Sequence, residues 1–303
     1  MISTPTVTVA AIEALQSRAA AAAEALLKIR EQGVAKAHLS KDGTPEPVFF
    51  TKLPFVQEGN PNTPASISKL KQFGRYLQQE IDAVVFLGVG GSYLGNKVLF
   101  DVFAGSGWNV GCEKSRQGYP RIYFSGNNLD GDQYHEIVSE LEYLAQHRLG
   151  KQEQFRVLLV PISKSGTTLE TLAAFTYFYE QCQKSSLLQL EVAVVTDLAV
   201  GASPLCSLAK ERSWPCFDIK EGIGGRFCIF SDPGLITAAA IGMDIDAFLL
   251  GAKDMEMACR SSSLEENPAL LNAALKYTAA EKGLDIEVFM PYAAKMKSVG
   301  EWY

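Results

Sequence analysis

The sequence predicts an α/β protein built on an open, doubly wound parallel sheet, with a second α/β unit begun near the C-terminus. Three observations lead there. Short, near-continuous apolar runs recur: AVVFLGVGG from Ala83, RIYFSG from Arg121, FRVLLVPIS from Phe155 and VAVVTD from Val192. Helix-period segments separate them, and two of the runs end in turns of unusual composition. Strands apolar on both faces belong to a sheet covered by helices on both sides.

Taken in order, residues from about Val9 to Gln32 carry Ile12, Leu15, Leu26, Leu27 and Ile29 among helix formers, which predicts a leading amphipathic helix with a packing role. From Lys36 to Pro64 the chain holds Pro45, Pro47, Pro54, Pro61, Pro64 and Asp42-Gly43, the mark of connecting structure around short pieces. Ile67, Leu70, Phe73 and Leu77 then recur at helical spacing up to Glu80. After the first apolar run, Leu94, Val98, Leu99, Val102 and Phe103 share one helical face. Further helices are expected over Tyr134–His147 and Leu169–Cys182. Beyond Asp232 the pattern turns helical, with one more strand-like run, DIEVFMPY from Asp285. A lone strand cannot close a sheet, so this run reads as a unit started and not finished.

Composition narrows the function. The chain has 303 residues, 47% hydrophobic and 20% charged, enough for one large or two modest domains. A net charge of -6 and a pI near 5.3 give no global field to attract nucleic acid or an anionic membrane, so neither is expected as a partner. The six cysteines form no C-x-x-C pair and have no nearby histidine to complete a zinc set, so they read as reduced thiols of a cytoplasmic protein. The N-terminus lacks the basic and apolar regions of a signal peptide, and the Ala-rich stretch from Ala19 to Leu27 is too short to span a bilayer.

In an open parallel sheet ligands bind beyond the carboxyl ends of the strands. The first special turn there is Gly88-Val89-Gly90-Gly91-Ser92-Tyr93-Leu94-Gly95. Its glycines allow close backbone approach, and the new helix offers free N–H groups and a positive dipole end. It fits neither common fingerprint. The sixth position from Gly88 is Tyr93 where a dinucleotide loop wants glycine, and Gly95-Asn96-Lys97 stands where a nucleotide loop wants Gly-Lys-Ser/Thr. A tight turn with no ligand is the alternative.

The second turn, Ser163-Lys164-Ser165-Gly166-Thr167-Thr168, sets four hydroxyls and a lysine at a helix start, a composition that can encircle a phosphate. The plainer alternative is an elaborate N-cap, although capping needs only one such residue. The cluster Asp130, Asp132, His135 and Glu136 is explained as helix caps, so no metal is assigned.

These motifs, with Gly224-Gly225-Arg226-Phe227 further on, occur in the order and at the spacing found in glucose-6-phosphate isomerases, and the chain resembles that family from about residue 60 to its end. Such enzymes contain two sugar-isomerase (SIS) domains. The resemblance divides the chain into a helix and connecting segment over 1–59, a first SIS domain over 60–235, and a helical segment opening an incomplete second SIS domain over 236–303. It implies Ser163, Ser165 and Thr168 as phosphate ligands, with the backbone of Lys164 and Ser165 donating, Gly91 and Ser92 beside the sugar, and Arg226 next to the oxygens of an enediolate intermediate. The implied reaction is the cofactor-free interconversion of glucose 6-phosphate and fructose 6-phosphate in a homodimer.

In the family a glutamate base follows shortly after the position of Trp302-Tyr303, and a ring-opening histidine and a further lysine lie beyond. The expectation is therefore a chain that binds phosphosugars weakly and turns them over negligibly alone. The other reading is a non-catalytic regulator that senses sugar phosphates. It has little need of a transition-state cation, which favours the isomerase.

Overall fold

A computed structural model describes residues 7–40, 43–148, 154–199, 201 and 203–303. The chain divides into two compact units, Met1–Phe55 with Asp246–Met290, and Val56–Ile245 with Pro291–Tyr303.

In the first unit, helices α1 (Val9–Glu13) and α2 (Gln16–Gln32) replace the single leading helix expected from sequence, with a turn at Ala14 and Leu15 between them. An antiparallel pair, β1 (Val34–Leu39) and β2 (Pro45–Pro47), follows. Ile12 and Ala23 form a small core with Leu264, Leu270 and Ala274. The buried Asn267 caps the helix that carries the last two, accepting from the amides of Ala269 and Leu270 at 3.0 Å.

The second unit carries the sheet. Helix α3 (Pro64–Glu80) starts from a capping box in which Thr63 and Ser66 satisfy each other's amides, and its apolar stripe is Ile67, Leu70, Phe73 and Leu77. Then come β3 (Ala83–Leu87), α4 (Gly91–Leu99), β4 (Arg121–Ser125), α5 (Gly131–Gln146), β5 (Phe155–Pro161), α6 (Leu169–Lys184), β6 (Leu188–Val192), β7 (Val194–Thr196), α7 (Pro204–Glu211), β8 (Cys216–Asp218) and α8 (Asp232–Ala240). α9 (Ile245–Ala258) and α10 (Pro268–Ala280) belong almost wholly to the first unit, and α11 (Lys297–Trp302) to the second. Asp130 caps α5 by accepting from the amide of Gln133 at 3.1 Å, the role expected of it.

The sheet order is β4-β3-β5-β6, all parallel. β7 continues the edge through a bridge between Ile162 and Val195 and pairs in parallel with β8. Every residue of β3 is buried, as its apolar run requires. One face packs on α5, α6 and α7 through Ile137, Leu141, Ala174, Phe178 and Leu205. The other meets α4, where Tyr93 and the following Phe100 stack edge-on against Phe124, and α3, where Phe73 packs on Phe217 at 4.9 Å. Helices on both faces make the sheet doubly wound.

The strand expected from Asp285 is corrected. Residues 284–292 pair with no strand among the described residues, and Ile286 and Tyr292 are 86% and 95% exposed. A strand needs a second strand to take its amides and carbonyls, so β-type composition alone does not make one.

One buried charge carries a pH prediction. Asp232, at the start of α8, accepts the amide of Asp218 at 2.9 Å, and burial pushes its carboxyl up to about 6. An acid whose folded-state pKa is raised binds more protons folded than unfolded, so its ionisation costs stability as pH climbs from about 4 through 6. Asp232→Asn keeps an acceptor and removes the charge. The variant is expected to match the parent near pH 4 and to exceed it by up to about 3 kcal/mol above pH 6. Urea unfolding across that range checks it; a stability difference that does not grow with pH contradicts it.

Candidate functional site

β3 and β5 are neighbours, but the chain leaves β3 toward β4 on one side and returns to β5 on the other. This reversal of strand order opens the crevice in which doubly wound sheets hold ligands. The two turns singled out by sequence follow these two strands, and both line one cavity of about 550 Å³. Gly91, Ser92, Ser163, Lys164, Ser165 and Thr168 all border it. Arg226 does not line it; its neighbour Gly225 does, and the Arg226 side chain is exposed.

Ser163, 2% exposed, is fixed at every backbone atom that can bond. Its amide donates to the carbonyl of Val195 at 3.0 Å and its carbonyl accepts from the Thr196 hydroxyl at 2.7 Å. Thr196 also shares a 2.6 Å hydrogen bond with Ser203. Ser163 Oγ accepts the amide of Gly166 at 3.1 Å and lies 2.8 Å from Thr168 Oγ1. Ser165 Oγ accepts from both the amide and the hydroxyl of Thr167, at 3.2 and 2.9 Å. These bonds do not use every hydroxyl proton. Among the described residues the Ser165 proton is uncommitted, and of the two protons on Ser163 and Thr168 only one is used between them. The turn thus has O–H donors left over at a cavity wall.

The capping alternative accounts for part of this turn, since Ser163 Oγ and Ser165 Oγ accept the amides of Gly166 and Thr167. Thr168 is the N-cap of α6 and makes no side-chain cap hydrogen bond, and Gly90 before α4 has no side chain to do so. Neither helix start at the rim is closed by a cap side chain, which leaves room for an anion, although the Ser92 and Tyr93 amides of α4 already donate to the carbonyls of Val89 and Gly90 at 3.1 and 3.0 Å. Gly166 holds φ +65°, and a β-carbon there would stand 2.1 Å from Ser203 Oγ and 2.9 Å from the Leu205 amide, so both conformation and space demand glycine.

The turns are bound to the segment after β8 by a seam that sequence reading missed. A β-carbon on Gly91 would lie 2.3 Å from the carbonyl carbon and oxygen of Gly225. Beneath this contact Cys228 Sγ donates to the carbonyl of Gly91 at 3.2 Å, while burial pushes its thiol up to about 12. From the other side Trp302 Nε1 donates to the carbonyl of Arg226 at 3.0 Å. The 3-10 turn Gly225–Phe230 is held by both, which sets the Arg226 backbone next to the cavity. Asn96, 1% exposed, donates to the carbonyl of Ser92 at 2.7 Å and accepts from Thr237 at 2.8 Å, pinning the start of α4 to α8.

Neither Lys164 nor Arg226 has a side-chain hydrogen bond or ion pair among the described residues, so two cations stand uncommitted at or beside the rim. Asp197, at the end of β7, lines the same cavity and was not singled out. Its signal was available: a polar residue closing the apolar run VAVVTD, at the carboxyl end of a strand. Its Oδ1 accepts the amide of Ala199 at 2.9 Å. No cluster of metal-ligating side chains occurs among the described residues. No helix of those residues is long and apolar enough to cross a membrane.

The class is an α/β protein with a doubly wound parallel sheet, at whose reversal point a cavity is bordered by two helix starts without side-chain caps and by hydroxyl groups. Residues 69–302 match the sequence model described as phosphoglucose isomerase, and the chain belongs to that family. It is 31% identical over 238 residues to a glucose-6-phosphate isomerase of Clostridioides difficile (strain 630), covering 78% of this chain and 50% of that protein. It is 30% identical over 238 residues to a probable glucose-6-phosphate isomerase of Methanococcus maripaludis, covering 78% and 49%. The chain spans about half the length of the curated relatives it matches. Its fold is similar to the crystal structure of a hypothetical protein from Thermus thermophilus, with a TM-score of 0.68 at 24% identity, covering all of this chain and 63% of that one.

Proposed function

We propose that this chain forms the sugar-phosphate-binding part of a glucose-6-phosphate isomerase, which interconverts glucose 6-phosphate and fructose 6-phosphate through an enediolate. The observation that carries the reading is the convergence of both predicted turns on one cavity with hydroxyl donors to spare. In this reading Ser163, Ser165 and Thr168 take the phosphate oxygens with the first amides of α6. Gly91 and Ser92 border the sugar, Lys164 adds charge, and Arg226 reaches the reacting carbons. A guanidinium suits that last role because it stabilises developing negative charge without giving up a proton. Residues of about 60–235 form the first SIS domain and 236–303 lead into a second. The family resemblance further supports a homodimer in the cytoplasm and a reaction that needs no cofactor.

The phosphate assignment is tested by calorimetric titration of the chain with fructose 6-phosphate. Ser165→Ala and Thr168→Ala are each expected to weaken binding by about tenfold, the effect of losing one hydrogen bond to a charged group. Unchanged affinity in both variants contradicts the assignment.

A further inference from the structure

At the opposite rim, beyond the amino ends of β3, β4 and β5, lies a second cavity of about 620 Å³. Four arginines border it, Arg116, Arg121, Arg148 and Arg156, against three carboxylates, Glu80, Asp82 and Glu113. Two of the arginines are spoken for: Arg148 pairs with Asp82 and Arg156 with Glu80, each at 2.6 Å. The other two are not. Arg116, 4% exposed, gives Nε to the carbonyl of Tyr119 at 3.1 Å and Nη1 to that of Gly111. Arg121 gives only Nε, to the carbonyl of Asn109 at 3.1 Å.

Neither has a carboxylate within ion-pair distance among the described residues, although the charge of Glu113 supports Arg116's hold on its proton. Burial and the like charge of Arg121 both weaken Arg116's hold on its proton. The ends of α3 and α5 at this rim bring partial negative charge, and the two paired arginines lie beside them. Among the described residues the guanidiniums without a carboxylate at ion-pair distance are therefore those of Arg116 and Arg121, each with Nη donors left over. A buried cation with no counter-ion is costly, and an oxyanion received by two guanidinium forks removes that cost.

We propose that Arg116 and Arg121 form a second anion site, separate from the β3–β5 rim, that binds the dianionic phosphoryl group of a small molecule. Orthophosphate and glycerol 3-phosphate serve as probes in calorimetric titrations. Equal affinity identifies the phosphoryl group alone as the ligand, and preference for the ester adds its organic part.

In a Ser165→Ala/Thr168→Ala background, where the first rim is disabled, one phosphate site is expected to persist. Adding Arg121→Met should weaken it at least about tenfold, and Arg121→Lys should weaken it less. Loss of all binding in the double variant alone, or no response to Arg121→Met, overturns the proposal. If the double variant leaves binding at the first rim intact, the phosphate assignment made there fails and this one stands. Should Arg121→Met not fold, crystals of the unaltered chain soaked in tungstate decide: an anomalous peak between the two guanidiniums supports the site, and peaks only elsewhere refute it.

Discussion

Arg226→Ala is expected to weaken binding of a hydroxamate analogue of the enediolate by about 10²-fold, while a phosphorylated polyol of the same length loses only a few-fold. The contrast follows from where the residue stands. Its backbone is fixed beside the cavity by the Trp302 bond and the Gly91 contact, its side chain is exposed, and no described residue neutralises it. In the proposed reading phosphate affinity comes from the hydroxyl turn and helix starts, which the substitution leaves alone. Only a ligand with negative charge at the carbons that react should miss the guanidinium. Calorimetry with both ligands measures the two effects, and an equal loss for both would reduce Arg226 to a general electrostatic contributor.

The second large effect concerns the seam. Gly91→Ala is expected to destabilise the fold by about 3 kcal/mol and to abolish phosphosugar binding, because the new methyl group meets the Gly225 backbone at 2.3 Å and neither partner is a flexible side chain. Gly225→Ala is the built-in control. A β-carbon placed there finds Gly91 Cα at 3.5 Å, an ordinary contact, so its stability should change by less than about 1 kcal/mol. Denaturant unfolding of both variants checks the asymmetry. Similar losses from the two substitutions would mean that the contact relaxes and does not hold the turn in place.

Much of this architecture was legible in the sequence because its signals are local. The run at Ala83 becomes a fully buried central strand, the helix expected over Leu169–Cys182 runs from Leu169 to Lys184, and the hydroxyl turn falls between β5 and α6. The two turns meet because their strands are adjacent, which follows from the fold class once the connections leave to opposite sides. What escaped reading depends on partners distant in sequence. Gly91 and Gly225 look like ordinary turn glycines until the chain brings them together. β8 is only three residues long, Cys216–Asp218, too short for a pattern, and exists because β7 is there to pair with it. The exposed run after Asp285 shows the converse: strand-like composition forms no strand where no second strand lies alongside it.

The Cys228 thiol, held protonated and hidden behind the Gly91–Gly225 joint, has one more consequence. Sulfur reacts with alkylating reagents as the thiolate, so while the joint is shut this atom is chemically silent. Only breathing that parts the two backbones can wake it. The rate at which it is labelled is therefore a clock for the loosening of the arginine-bearing turn, supplied by the native chain with no probe attached.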